Sequence, residues 1–184
     1  MKIEWQIKSG DPRFLLITVD GELWKEIFKS LIAKHLPALR SCASPEELKE
    51  RFALVEAKIA KEATFRLLAS RSQLSTEIHK KLASKGLSFA SIEKALEECR
   101  GLGVLDDRRE ARAFIAREEA KGNGPHLIAY KLKLKGIKVS PALMQEMQEN
   151  QKSLLKKLLQ KPKYREDPRK LIRRGFDASL LHQS

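Results

Sequence analysis

The sequence predicts a mainly α-helical fold: three tandem three-helix repeats in an elongated, curved array, preceded by a small N-terminal β-hairpin plus helix. Three observations carry that expectation. Apolar residues change from period two to a spacing of three and four near residue 22 and keep the helical spacing to the end. Glycines at 86, 136 and 175 each close a helix within one recurring pattern. A serine or aspartate follows each of those glycines, placed to cap the next helix.

Element by element, Ile3, Trp5 and Ile7 alternate with Lys2, Glu4, Gln6 and Lys8, the period of a half-buried strand. Ser9-Gly10-Asp11-Pro12 marks a turn, and Arg13 to Val19 supplies a second strand closed by Asp20-Gly21. A lone hairpin is marginal in water, so it should lie against the next element or gain a third strand. A helix is expected over about residues 23–36, where Trp24, Ile27, Phe28, Leu31 and Ile32 recur at helical spacing and Pro37 stops the run. Ser44-Pro45-Glu46-Glu47 then opens a long helix. The serine oxygen accepts a first-turn N–H, proline takes the first helical position, and Glu47 returns a bond to the cap. That helix should reach about Ser70, with Leu48, Phe52, Val55, Ile59, Ala63 and Leu67 on one face. A shorter helix over about 75–85 ends at Gly86. Ser88 caps another over about 89–100, turning Ile92, Ala95, Leu96 and Cys99 inward.

The arrangement then recurs. Ile78-x-x-Lys81-Leu82-x-x-Lys85-Gly86-Leu87 matches Ile128-x-x-Lys131-Leu132-x-x-Lys135-Gly136-Ile137 position for position. A third copy reads Lys170-Leu171-x-x-Arg174-Gly175-Phe176, with Asp177 as its cap. Repeats of this kind bury their faces by stacking on neighbours. The expected units are a leader over 1–43, repeats over 44–101 and 102–148, and an abbreviated third repeat over 149–184. Two turns join them. Leu102-Gly103-Val104-Leu105-Asp106-Asp107 leads into the second repeat, with Asp106 or Asp107 as cap. Gly122-Asn123-Gly124-Pro125 joins two helices inside it.

Charge is distributed unevenly. The formal net charge is +13, and residues 108–184 hold 19 Lys and Arg against 8 Asp and Glu. Residues 1–107 are nearly balanced, at 18 against 16. The C-terminal part therefore expects an anionic partner: nucleic acid, an acidic protein surface, or a filament combining both. Lys121, His126, Lys131, Lys133, Lys135, Arg169, Lys170, Arg173 and Arg174 make up the candidate basic face. Their pattern suits phosphate or carboxylate contact rather than base reading. Low aromatic content argues against stacking on single strands.

Catalysis finds little support. His35, His79, His126 and His182 form no His-x-x-x-His pair, and Cys42 and Cys99 are far apart and fit no ligand spacing, so no metal or cofactor is expected. Gly122-Asn123-Gly124 follows a polar helix and lacks the ending of a phosphate loop, so it reads as a turn. Gly86, Asp106, Asp107, Gly122, Gly124, Pro125, Gly136 and Gly175 are assigned to turns and caps. No apolar stretch approaches the roughly 20 residues that span a bilayer. The N-terminus lacks a secretory core, so a cytoplasmic, non-enzymatic protein is expected.

At these residues the sequence resembles the RecX family of bacterial regulators. Leu102-Gly103-Val104-Leu105-Asp106-Asp107 is similar to the family's Leu-Gly-Tyr-Leu-Asp-Asp turn. Gly122-Asn123-Gly124-Pro125, followed by Ile128, Leu132 and Lys135-Gly136-Ile137, resembles its Gly-x-Gly-Pro block. Arg173-Arg174-Gly175-Phe176 matches its C-terminal Arg-Arg-Gly-Phe. The likeness covers about residues 50–184. Val104 stands where the family usually has tyrosine, Glu110-Ala111 replaces an aromatic-Ala pair, and His126-Leu127 stands where paired arginines are common. The resemblance implies a monomeric regulator in DNA repair, homologous recombination and the SOS response. Such a protein would bind RecA and its filament on single-stranded DNA, bind nucleic acid weakly and without sequence preference, and restrain recombinase and ATPase activity. The rival readings are a helical protein acting directly on duplex DNA, such as a transcription factor, and a helical solenoid with another protein client.

Overall fold

The computed structural model describes residues 2–181, and His182 lies outside the described residues. The chain divides into two compact units, Met1–Asp106 and Asp107–Ser184.

The first unit opens with three antiparallel strands in the order β1-β2-β3: β1 (Ile3–Ile7), β2 (Phe14–Val19) and β3 (Glu22–Phe28). The third strand replaces the first half of the helix expected over 23–36, and the turn before it explains why. Asp20 and Gly21 both adopt positive φ, 51° and 86°, the conformation of a two-residue type I′ hairpin turn. Its twist matches that of the strands, so the chain folds straight back and pairs Ile27 with Leu15. A register shift at Ile17 and Thr18 leaves Trp24 out of the pairing, and that bulge imitates helical spacing among Trp24, Ile27 and Phe28.

What remains of the expected helix is short. It comprises α1 (Lys29–Ile32), a 3₁₀ turn over Ala33–His35, and α2 (Leu36–Arg40). Pro37 sits in the first turn of α2, where its missing N–H removes no helical bond. It starts a helix rather than stopping one.

The helices α3 (Pro45–Ser70), α4 (Ser75–Ala83) and α5 (Phe89–Gly101) complete this unit. The Ser44 hydroxyl accepts the Glu47 N–H at 3.2 Å. The Glu47 carboxylate reaches back to the Ala43 N–H at 2.8 Å, one residue before the cap. One core joins Leu15, Ile17 and Ile27 of the sheet to Leu48, Phe52, Ile78, Leu82, Ile92 and Leu96 of the helices. The leader thus shares its core with the helices that follow it. Inside lies Glu56, whose carboxylate accepts bonds from Lys25 Nζ at 2.5 Å, the Ser88 N–H at 2.9 Å and the Ser91 hydroxyl at 3.0 Å. Burial opposes its ionised form, but the bonds from Lys25 and Ser88 overcome that and hold the carboxyl below its ordinary range.

The second unit contains α6 (Asp107–Ala120), α7 (Pro125–Leu134), α8 (Pro141–Leu159), α9 (Pro162–Arg165), α10 (Arg169–Ile172) and α11 (Ala178–Leu181). Asp106 stands immediately before α6. Helix α8 runs through residues 148 and 149, so the boundary expected there falls inside a helix. After Pro141 that stretch holds no glycine or proline and is rich in Leu, Lys, Glu and Gln, which gives the chain no reason to break. Two apolar clusters form: Ala111, Ile115, Ile128, Leu132 and Met147, then Leu155, Leu158, Tyr164, Leu171 and Phe176.

The three repeat glycines end their helices in one way. The N–H of Leu87, Ile137 and Phe176 bonds the carbonyl of Leu82, Leu132 and Leu171 at 3.3, 3.0 and 3.2 Å. Gly86, Gly136 and Gly175 sit between at φ of 85°, 82° and 84°, as this closure requires. Among the described residues, no helix is long and apolar enough to cross a membrane.

Gly86 carries a second constraint, because a Cβ there would run into the Glu26 carbonyl of β3. Gly86→Ala should therefore lower the stability of the full chain by at least about 2 kcal/mol in chemical denaturation, from positive-φ strain plus the clash. Gly10→Ala, at φ 85° with open space around it, should cost about half of that. Equal losses would show that the sheet does not hold this turn.

Candidate functional site

All nine candidate basic residues lie in the second unit, and the structure sorts them into two groups. The sorting starts at Glu118. Ala111, Ile115 and Glu118 follow one another at four and three residues along α6, so the face that enters the core carries the glutamate with it. Its side chain is 4% exposed.

Three neighbours satisfy the carboxylate. Lys121 Nζ lies 2.6 Å from Oε1, and Lys131 Nζ, from α7, lies 2.5 Å from Oε2. The Asn123 side-chain amide donates to Oε2 at 2.7 Å. Burial pushes the Glu118 carboxyl upward, but the bonds from Lys121, Lys131 and Asn123 outweigh it and hold the group at about 2. Two residues of the expected basic face thus neutralise a buried anion.

A third cation, Arg174, closes the turn from the other side. Its guanidinium donates to the Lys121 carbonyl at 2.6 Å, the Gly122 carbonyl at 3.1 Å and Asn123 Oδ1 at 3.4 Å. The backbones also meet. The Gly124 N–H bonds the Arg174 carbonyl at 2.7 Å, and the His126 N–H bonds the Gly175 carbonyl at 3.1 Å. A Cβ on Gly124 would lie 2.5 Å from the Gly175 carbonyl, and one on Gly175 would strike Leu127. The Gly-Asn-Gly-Pro and Arg-Arg-Gly-Phe segments therefore interlock through bare backbone. With the Gly124 N–H given to a carbonyl, the Gly-x-Gly element is a docked turn rather than a phosphate cradle.

The remaining candidates vary in how far they are engaged. His126 is exposed and stands 3.5 Å from Asp177. Lys135 sits over the Phe114 ring at 5.3 Å, and Lys170 lies 3.7 Å from Asp167. Lys133, Arg169 and Arg173 are exposed, as is Lys138 beyond the candidate set.

The sequence reading missed Glu118 and Asn123, and also Tyr130 and Leu134, which stand exposed on α7. Helical spacing held the signal for the last two. With Ile128 and Leu132 facing inward, positions 130 and 134 must face out. Among the described residues, no three His, Cys, Asp or Glu side chains group as a metal site.

No family model matches the chain. It is 37% identical over 78 residues to the Regulatory protein RecX of Vibrio campbellii, a match covering 42% of this chain and 50% of that one. It is 38% identical over 81 residues to the Regulatory protein RecX of Chlorobium phaeobacteroides, covering 44% and 54%. Against these relatives the chain spans about half of their length. Against the Regulatory protein RecX of Prosthecochloris aestuarii it is 32% identical over 128 residues, 64% of this chain and 85% of that one. A solved structure of regulatory protein RecX superposes with a TM-score of 0.60 at 22% identity, covering 98% of this chain and 95% of that chain, a likeness of fold.

Glu118 makes stability depend on pH in a defined window. Its folded-state pKa of about 2 lies below the ordinary 4.5, so it stabilises the fold above pH 4.5. That contribution, on the order of 2–3 kcal/mol, is lost as pH falls from about 4.5 towards 2. Urea denaturation at pH 6, 4 and 2.5 should show a fall in wild-type stability that is clearly smaller in Glu118→Gln. Parallel losses in the two proteins would remove Glu118 from this role.

Proposed function

The chain belongs to the RecX family of regulatory proteins, and on that footing we propose that it binds RecA and its filament on single-stranded DNA and restrains recombinase and ATPase activity. The observation that carries this reading is the likeness to the Prosthecochloris aestuarii protein across 85% of that protein's length. The second unit supports it physically. Its exposed cations suit the phosphates and acidic side chains that a nucleoprotein filament offers together. In this reading the protein does no chemistry of its own and works as a monomer in the cytoplasm, in recombination, repair and the SOS response. Direct binding to nucleic acid is weak and indifferent to sequence.

We further propose that the helices form three tandem three-helix repeats. The support is the shared closure at Gly86, Gly136 and Gly175.

The filament contacts are assigned to the second unit, with one refinement. Lys131 and Arg174 hold the unit together, so reversing their charge would damage the fold along with any interface. Lys133, Arg169 and Arg173 are exposed and carry the test. Single-stranded-DNA-dependent ATP hydrolysis by a cognate RecA should be inhibited by the wild-type protein at near-stoichiometric ratios. Lys133→Glu, Arg169→Glu and Arg173→Glu combined should raise the half-inhibiting concentration about tenfold while leaving thermal unfolding unchanged. A folded wild-type protein without effect on RecA would overturn the function. Full inhibition by the triple variant would overturn only the placement of the contacts.

A further inference from the structure

The three repeat copies share the buried leucine and the glycine of the closing turn and differ in their outward positions. Aligned on the leucine and glycine of the closing turn, Leu82, Leu132 and Leu171 are equivalent, and all are fully buried. Two positions before that leucine stand Lys80, Tyr130 and Arg169, and two positions after it stand Ser84, Leu134 and Arg173. These residues are four apart, so each pair shares one helix face, and all six are exposed. The outward pair is polar in the first copy, apolar in the second and doubly cationic in the third. An apolar pair is therefore not something the repeat needs in order to fold.

On α7 the pair is well displayed. Pro125, Ile128 and Leu132 are buried, which turns His126, Tyr130, Lys133 and Leu134 outward as one stripe. Tyr130 is 59% exposed and Leu134 is 61% exposed. The helix contains no aspartate or glutamate, and Lys135 and Lys138 follow it. Lys133, Lys135 and Lys138 flank the apolar pair, and Asp177 meets His126 only at the start of the helix, so the flank suits a surface with an apolar recess and an acidic rim. Tyrosine is enriched at the energetic centres of protein interfaces, where it provides a large contact area at little entropic cost. The leucine decides between classes of partner, since it supplies neither charge nor an aromatic ring to stack on a base.

From this we infer that the outward face of α7, centred on Tyr130 and Leu134, is the apolar anchor for an acidic-rimmed protein surface. Resting on the function proposed above, that surface belongs to RecA. The cationic pair of the third copy belongs to the same unit, and the two divide the work. Tyr130 and Leu134 supply desolvated contact, and Arg169 and Arg173 supply long-range attraction.

The test uses the full chain with a cognate RecA on oligo(dT), read as inhibition of ATP hydrolysis, with binding of fluorescent oligo(dT) alone measured in parallel. Tyr130→Ala with Leu134→Ala should need at least about tenfold more protein for half-inhibition. Its affinity for oligo(dT) and its thermal unfolding should match wild type. Lys80→Ala with Ser84→Ala, the equivalent pair of the first copy, should inhibit like wild type. Wild-type inhibition retained by the Tyr130 and Leu134 variant overturns the anchor and leaves the proposed function standing. Lost affinity for oligo(dT) in that variant also overturns it, by making α7 a nucleic-acid surface. A wild-type protein that leaves RecA unaffected overturns both readings together.

Discussion

The second unit depends on a place where two stretches of backbone meet without side chains between them. Gly124 and Gly175 approach so closely that a Cβ on either would collide with the other segment. The gap is bridged by two main-chain hydrogen bonds, and the Arg174 guanidinium spans the outside of the turn. Glu118 makes this possible from beneath. Its carboxylate orients Asn123 and gathers Lys121 and Lys131, which fixes the turn that Arg174 reads. All three bonds of the Arg174 side chain leave from one nitrogen, Nη1, which gathers the Lys121 and Gly122 carbonyls and Asn123 Oδ1 around one point. Removing the glutamate would leave two lysines and an amide without their common acceptor, a cost borne by the whole node rather than by one bond.

The first unit solves a similar problem with different parts. Lys85 and Gly86 stand where Arg174 and Gly175 stand in the third copy, and the carbonyl before the glycine is used alike in both. The Lys85 carbonyl accepts the Phe28 N–H at 2.9 Å, and the Arg174 carbonyl accepts the Gly124 N–H at 2.7 Å. In one case the visitor is a strand and in the other an interhelical turn. Each unit also buries a glutamate, Glu56 of α3 or Glu118 of α6, that is met by lysine and neutral donors. At Gly86 and Gly175 the glycine turn thus serves as a docking platform as well as a helix stop.

The helices and their closing turns were legible in the sequence because their causes are local. Ser44, Ser88 and Ser140 cap, Pro45, Pro125 and Pro141 begin helices, and glycines end them. The region around residues 22–37 was misread because two local signals competed. The Asp20-Gly21 turn demanded a returning strand, while the bulge at Trp24 spaced apolar residues as a helix would. Helix α8 continues past residue 148 because nothing after Pro141 breaks it. In the basic face, charge was legible and direction was not. Nothing in the sequence separates Lys121, Lys131 and Arg174 from the other basic residues until Glu118 is known to be buried, and that is a tertiary fact.

That distinction changes what the net charge means. A basic segment is usually read as a surface offered to a partner, yet part of the positive charge here is engaged within the unit. Lys121 and Lys131 answer Glu118, Arg117 answers Glu110 at 2.6 Å, and Arg174 answers carbonyl dipoles. Of the outward cations, Arg169 and Arg173 fall at repeat positions whose character differs from copy to copy. Selection for folding acts on inward positions and makes the copies alike, so the outward positions are where the copies can diverge at little cost to stability. Polar, apolar and doubly cationic pairs at one equivalent position show that the closing turn tolerates any of them, so folding alone does not set their character.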